Sequence, residues 1–181
     1  MGNICFDCSW DGYTIDKVKN GTLINNVAIG NCRHGYNLVT GSSYIQLIGN
    51  TALNSGYCYK TPGNGIMVQS DDEYTTKNIL LRNNIINDTK AYGISLVQSK
   101  NVTAENNSIV SSGYCISVQE TDDVRLGENS CMSGAPKLKL NGSNNGLNTT
   151  GAFRNDANNQ KVLNVIIGFV TIVAGAVSMA L

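Results

Sequence analysis

The sequence predicts an all-β chain wound as a parallel β-helix of about five to six rungs. Two interleaved motifs and their shared period carry that reading. Residues 21–26, 45–50, 79–84, 102–107 and 124–129 each hold an apolar residue at the third position, usually another at the first, and close on asparagine. The closing residues Asn26, Asn50, Asn84, Asn107 and Asn129 are spaced 24, 34, 23 and 22 apart. Out of phase with them run residues 12–15, 35–38, 65–68, 93–96 and 115–118, the first four opening on glycine and the last on Cys115.

Each string alternates apolar and polar residues, the period of a half-buried strand. A repeat of 22–24 residues is too short for a strand–helix–strand crossover, so it is one turn of strands joined by tight bends. In the first motif Ile45 and Leu47, Ile79 and Leu81, Val102 and Ala104, Val124 and Leu126 point inward. The second supplies Tyr13 and Ile15, Tyr36 and Leu38, Ile66 and Val68, Ile94 and Leu96, Ile116 and Val118. Ala28, Ala52, Ile86, Ile109 and Cys131, two places after each asparagine, form a third inward column. The asparagines mark one bend, because Asn tolerates left-handed backbone and bonds neighbouring main chain. Stacked about 4.8 Å apart, their amides form a ladder. Gly12, Gly35, Gly65 and Gly93 mark a second bend where a Cβ is costly. Cys115 interrupts that column, which predicts a milder bend or a one-residue slip. Outward, Arg82 and Glu105 fall on neighbouring rungs and could pair.

Over roughly residues 5–133 the pattern resembles the right-handed parallel β-helix repeat of the pectin-lyase-like superfamily. The resemblance rests on repeat architecture. Ser70-Asp71-Asp72 is similar to the paired-aspartate element of polygalacturonases, but His34 precedes it here rather than following it. There is no counterpart to the acidic, histidine-containing motif of mannuronan C5-epimerases. The resemblance therefore implies a fold and a substrate class, polysaccharide and in particular uronate, with a lyase-like reaction as the catalytic option.

The chain has 181 residues, with 13 Lys and Arg against 13 Asp and Glu. That neutral balance argues against a nucleic-acid partner. We expect the β-helix over 1–133, a flexible polar stalk over 134–161 and a hydrophobic tail over 162–181. The tail is uncharged and long enough to span a bilayer as a helix. With the polar spacer before it, it reads as a GPI signal or a retained membrane anchor, with residues 155–157 or 146–151 as attachment regions. No charged segment followed by an apolar run opens the chain, so a lost leader and lost upstream rungs are expected. Residues 1–5 also read as an acylation start at Gly2 and Cys5, although Phe6 stands where Ser or Thr is preferred. Sequons at Asn20, Asn87, Asn101, Asn106, Asn141 and Asn148 fit a glycoprotein at the cell surface or outside the cell, with Asn106 crowded by Asn107. The six cysteines suit an oxidising compartment. Corresponding turns put Cys8 beside Cys32 as the first expected disulfide and Cys32 beside Cys58 as the second. Cys131 reads as a buried thiol, and Cys5-Phe-Asp-Cys8 alone is a weak zinc motif.

Chemistry is expected beside the long second rung. Its extra residues form two loops, one around residues 57–62 and one over 70–78. Inserted loops on a solenoid often make its binding face. Asp71, Asp72 and Glu73 could hold Ca²⁺ through oxygen ligands, or supply an acid or base; no cofactor is otherwise required. Arg33 and His34, the only histidine, sit just before a bend and could neutralise a carboxylate and move a proton. Lys60 could reach over from the insertion. The expected catalytic set is Arg33, His34, Asp71, Asp72 and Lys60, with Asp16, Tyr57, Tyr59 and Tyr74 binding substrate. The expected function is a surface-anchored protein that binds or modifies a polysaccharide or cell-wall glycan. The alternative is a non-catalytic adhesion module in which the coil is a rigid spacer.

Overall fold

The structure, a computed structural model, describes residues 1–58, 62–111, 113–132 and 136–154. Its strands are numbered in chain order and fall into three parallel sheets visited in rotation. The first sheet stacks β2 (Tyr13–Asp16), β5 (Tyr36–Val39), β8 (Ile66–Gln69), β11 (Ile94–Val97), β14 (Ile116–Gln119) and β17 (Leu138–Asn141). The second stacks β3 (Lys19–Ile24), β6 (Ser43–Ile48), β9 (Lys77–Arg82), β12 (Lys100–Glu105) and β15 (Asp122–Gly127). The third stacks β1 (Ile4–Phe6), β4 (Val27–Ile29), β7 (Thr51–Ser55), β10 (Ile85–Thr89), β13 (Ser108–Ser111), β16 (Asn129–Cys131) and β18 (Phe153–Arg154). No helix occurs among the described residues.

The expected columns are present. Ile45 pairs with Ile79, Ile79 with Val102 and Val102 with Val124, and each is at most 2% exposed. Ala28, Ala52, Ile86, Ile109 and Cys131 follow one another in register on the third sheet. Each buried Leu or Ile contributes roughly 2–3 kcal/mol by leaving water. Tyr36 is fully buried, stacks on Tyr13 with centroids 5.0 Å apart, and donates its hydroxyl to the Asn26 carbonyl at 2.8 Å.

The asparagine ladder runs Asn26 to Asn50, Asn84, Asn107 and Asn129, each Nδ2 donating to the next Oδ1 at 2.8–3.3 Å. Each Oδ1 also accepts the backbone N–H of the preceding ladder residue. Asn3 extends the ladder downward, donating to Asn26. The left-handed bend falls one place before each ladder residue, at Asn25, Gly49, Asn83, Asn106 and Glu128. Work is thus divided: one residue turns the chain and the next bonds the rungs.

The bend glycines are required by close approach. A Cβ on Gly35 would lie 2.7 Å from Ala52 Cβ and 2.7 Å from the Gly65 carbonyl oxygen, and Gly93 backs onto Ile109 in the same way. One rung higher the two positions are Cys115 and Cys131, and they form a disulfide. That excludes one of the two alternatives at Cys115 and corrects the reading of Cys131 as a thiol. The register does not slip at Cys115, since Ile94 still pairs with Ile116, and Cys131 is bonded rather than free. The expected Cys8–Cys32 bridge also gives way. Cys8 bonds Cys5 within one turn, and Cys32 bonds Cys58 across rungs, the second of the two expected pairings.

Residues 136–154, expected within a polar stalk, continue the coil. β17 pairs with β14, β18 pairs with β16, and Asn148 bridges Arg125. Leu138, Leu147 and Phe153, packed against the core, and the buried Ala152 carry this added rung. The apolar segment 162–181 and residues 155–157 lie outside the described residues. Among those described, no helix is long and apolar enough to cross a membrane.

Candidate functional site

The turns that precede the first sheet put Asp11, His34, Asn64, Tyr92 and Tyr114 one above another, each handing its carbonyl or its neighbour's amide to the adjacent rung. At the lower end of this column an open groove of about 460 Å³ is lined by Trp10, Asp11, Thr14, Arg33, Asn37, Val39, Thr40, Gln69, Ser70 and Asp71. Its organising group is Asp11, whose side chain is 1% exposed. Arg33 grips it with two bonds, Nε to Oδ1 at 2.9 Å and Nη2 to Oδ2 at 2.8 Å. Asn37 Nδ2, the Thr14 hydroxyl and the His34 backbone amide also donate to it, at 2.9, 3.2 and 3.0 Å. Burial raises the Asp11 carboxyl pKa, but the bonds from Arg33, Asn37 and His34 outweigh it and hold the group below the usual range. The guanidinium also lies over the Trp10 ring, 4.9 Å from its centroid. Trp10 is the only tryptophan and is 46% exposed. The forked bond to Asp11 spends Nε and Nη2, and leaves Nη1 for a carboxylate.

His34 does not share this groove. Its ring is buried, and Nδ1 accepts the Asn64 amide at 3.0 Å, so the neutral ring carries its proton on Nε2. Burial pulls its pKa down to about 4, against the raising effect of Asp11. Its part is to anchor the long rung. Cys32–Cys58 ties the same segment, and Gly63 packs on the Arg33 carbonyl where no Cβ fits. Asp71 does reach the groove, but its Oδ1 accepts the amides of Glu73 and Tyr74 at 3.1 and 2.6 Å and so caps its own turn. Asp72 and Glu73 are exposed.

The other expected residues disperse. Asp16 is exposed on β2 and outside the groove. Tyr57 bonds Asp88 and lies under Lys90, whose ammonium is 5.3 Å from the ring. Tyr74 takes the Lys17 ammonium at 5.0 Å and lines a different cleft with Lys19, Tyr44, Glu73 and Lys77. Tyr59 and Lys60 lie outside the described residues. The proposed set of Arg33, His34, Asp71, Asp72 and Lys60 therefore resolves into Arg33 and Asp71 at one groove and His34 beneath it. Among the described residues no group of three or more His, Cys, Asp or Glu is placed to hold a metal ion. Trp10, Asp11 and Asn37 are the members that sequence reading missed. Aligning the bend glycines would have put an acid one rung below the Arg33-His34 pair.

Comparison with known proteins agrees with the architecture. Residues 53–131 match the family described as right handed beta helix region. Among curated proteins of Azotobacter vinelandii, mannuronan C5-epimerase AlgE5 is 29% identical over 106 residues, covering 58% of this chain and 10% of that protein. Mannuronan C5-epimerase AlgE1 is 36% identical over 67 residues, covering 37% of this chain and 4% of that protein. The solved A-modules of AlgE4 and AlgE6 superpose with TM-scores of 0.69 and 0.67, at 26% and 27% identity. Each match covers 76% of this chain but only 37% and 36% of the respective A-module. The chain thus spans a tenth or less of these curated relatives and just over a third of the solved modules. Stacked register, asparagine ladder and these matches together give the chain the parallel β-helix fold of the mannuronan C5-epimerase A-modules.

Proposed function

We propose that this coil binds an acidic, uronate-containing polysaccharide in the Trp10–Arg33 groove, as part of a protein that modifies such a polymer. One observation carries the reading: a guanidinium stacked on an exposed tryptophan and aimed by a buried aspartate lines an open groove. The indole face suits the C–H side of a pyranose, and Nη1 suits its carboxylate. Asn37, Gln69 and Thr14 along the floor offer partners for hydroxyls. The names of the similar proteins, all acting on mannuronan, support the substrate class. The reaction itself rests on those names, because Asp11 and His34 are both committed to structural bonds. Disulfides in three places support an oxidising compartment, and we extend the proposal to a cell-surface or extracellular protein, glycosylated at exposed sequons such as Asn20 and Asn101.

Trp10 provides its own test, because its fluorescence is the chain's whole tryptophan signal. Titration with oligomannuronate or oligogalacturonate should shift that emission saturably. Trp10→Ala should weaken binding measured by calorimetry by roughly tenfold, the size of one stacking contact. Silence with both oligomers, in fluorescence and in calorimetry, sinks the reading. A second reading, a rigid non-catalytic spacer, is favoured by the burial of His34, and it would stand if binding occurs with neither turnover nor C5 proton exchange.

A further inference from the structure

The face above the groove is continuous. The outward positions Thr14, Asn37, Met67, Ser95, Ser117 and Lys139 follow one another in register across the first sheet. From Asn37 to Lys139 is four strand spacings, about 19 Å. At the upper end Tyr92 and Tyr114 form an edge-to-face pair with centroids 6.3 Å apart. Lys139 Nζ lies 5.2 Å from the centroid of the first ring and 5.9 Å from that of the second, and donates to the Tyr92 hydroxyl at 2.8 Å. A lysine stem samples many rotamers when free. Here two rings and a hydroxyl hold it in one place. No carboxylate is paired with it among the described residues, and an ammonium has three donors, of which Tyr92 takes one.

This arrangement repeats the chemistry of the lower groove with different residues: a cation fixed against aromatic faces, on the same side of the same sheet. Between the two ends the column holds Met67, Ser95 and Ser117, small or unbranched side chains, the two serines being buried. We propose that Lys139, held by Tyr92 and Tyr114, is a second carboxylate-binding subsite, and that an acidic glycan runs along the coil axis between it and the Trp10–Arg33 groove. The proposal rests on the reading of that groove as a glycan site, and adds the direction of the chain and its minimum length. A ligand too short to span both ends feels the lower groove alone, whereas a longer one gains the second contact by tethering.

The test compares a uronate disaccharide with a uronate oligomer long enough to reach both ends, by calorimetry on the full chain. Wild type should prefer the oligomer. Lys139→Gln should cut oligomer affinity roughly tenfold, the scale of one charge-assisted contact, and leave disaccharide affinity unchanged. It should also flatten the salt dependence of oligomer binding. Tyr92→Phe, which keeps the ring and removes the hydroxyl, should lose a smaller part of the same preference. Lys139 is on the outer face, so an unchanged melting temperature confirms the fold. If oligomer and disaccharide affinities respond equally to Lys139→Gln, or neither responds, the second subsite is wrong while the groove stands. If wild type binds neither ligand, the groove reading fails and this proposal fails with it.

Discussion

The upper coil, from Ile79 to Asn129, and the lower coil, from Trp10 to Thr76, are built on the same three sheets and do different work. In the upper coil the ladder intervals are 23 and 22 residues, and the positions before the first sheet carry tyrosines. In the lower coil one interval stretches to 34, and the same turn positions carry Asp11, His34 and Asn64, with Arg33 beside them. The register of the first sheet, which follows these turns, is unbroken across both. Regular packing therefore does not depend on what fills those turns. Inward columns hold the rungs together, and the turns can be spent on polar groups that bond one another.

The sharpest break in that comparison should come from the ladder. Asn84 links both halves: it accepts from the Asn50 amide and side chain, and donates to Asn107 and to the Leu47 carbonyl. Asn84→Ala leaves several buried groups unpaired and should cost on the order of 3–4 kcal/mol in urea unfolding, with both halves lost together. Asn145→Ala, at an exposed position, should cost less than about 1 kcal/mol. Equal losses in the two variants would show that the ladder is incidental.

Acid should separate the halves next. The folded pKa of His34, about 4, lies below the 6.5 of a free histidine. Between those values the unfolded chain holds a proton that the folded chain does not, so stability falls as pH falls. The contribution is complete above pH ~6.5 and gone below pH ~4, roughly 3 kcal/mol in all. Asp11, whose carboxyl is held low, adds loss in the same direction at still lower pH. His34→Gln should remove the slope between pH 6.5 and 4 in thermal melts; a slope that survives would place its origin elsewhere. The smallest effect belongs to the upper coil's surface. Arg82 bonds Glu105 at 2.7 Å across two rungs, as their spacing suggested, but both are partly exposed. A double-mutant cycle should return at most about 1 kcal/mol and vanish in high salt.

Much of the fold was legible because it repeats. A column that recurs five times averages out local exceptions, so Ile45, Ile79, Val102 and Val124 could be stacked on paper. The site was less legible because it occurs once. Arg33 and Asp71 were found through charge and loop length. Asp11 was missed because its meaning lies in a partner 22 residues away. His34 was assigned chemistry on its residue type, and burial, which no local pattern reports, made it structural. The added rung at 136–154 hid in polar composition, and only a neighbour with open edge bonds at β14 revealed Leu138 and Leu140 as a strand.

Alternation, the ladder asparagines and the bend glycines determined by themselves that the chain stacks, at what period and with which side chains inside, since those depend on near-neighbour sterics repeated along the chain. Tertiary structure alone decided which cysteines meet, which way the Asp11–Arg33 fork points and that His34 faces inward. Those outcomes turn on contacts between rungs, where a few tenths of an ångström or one competing hydrogen bond selects among alternatives that read alike along the chain.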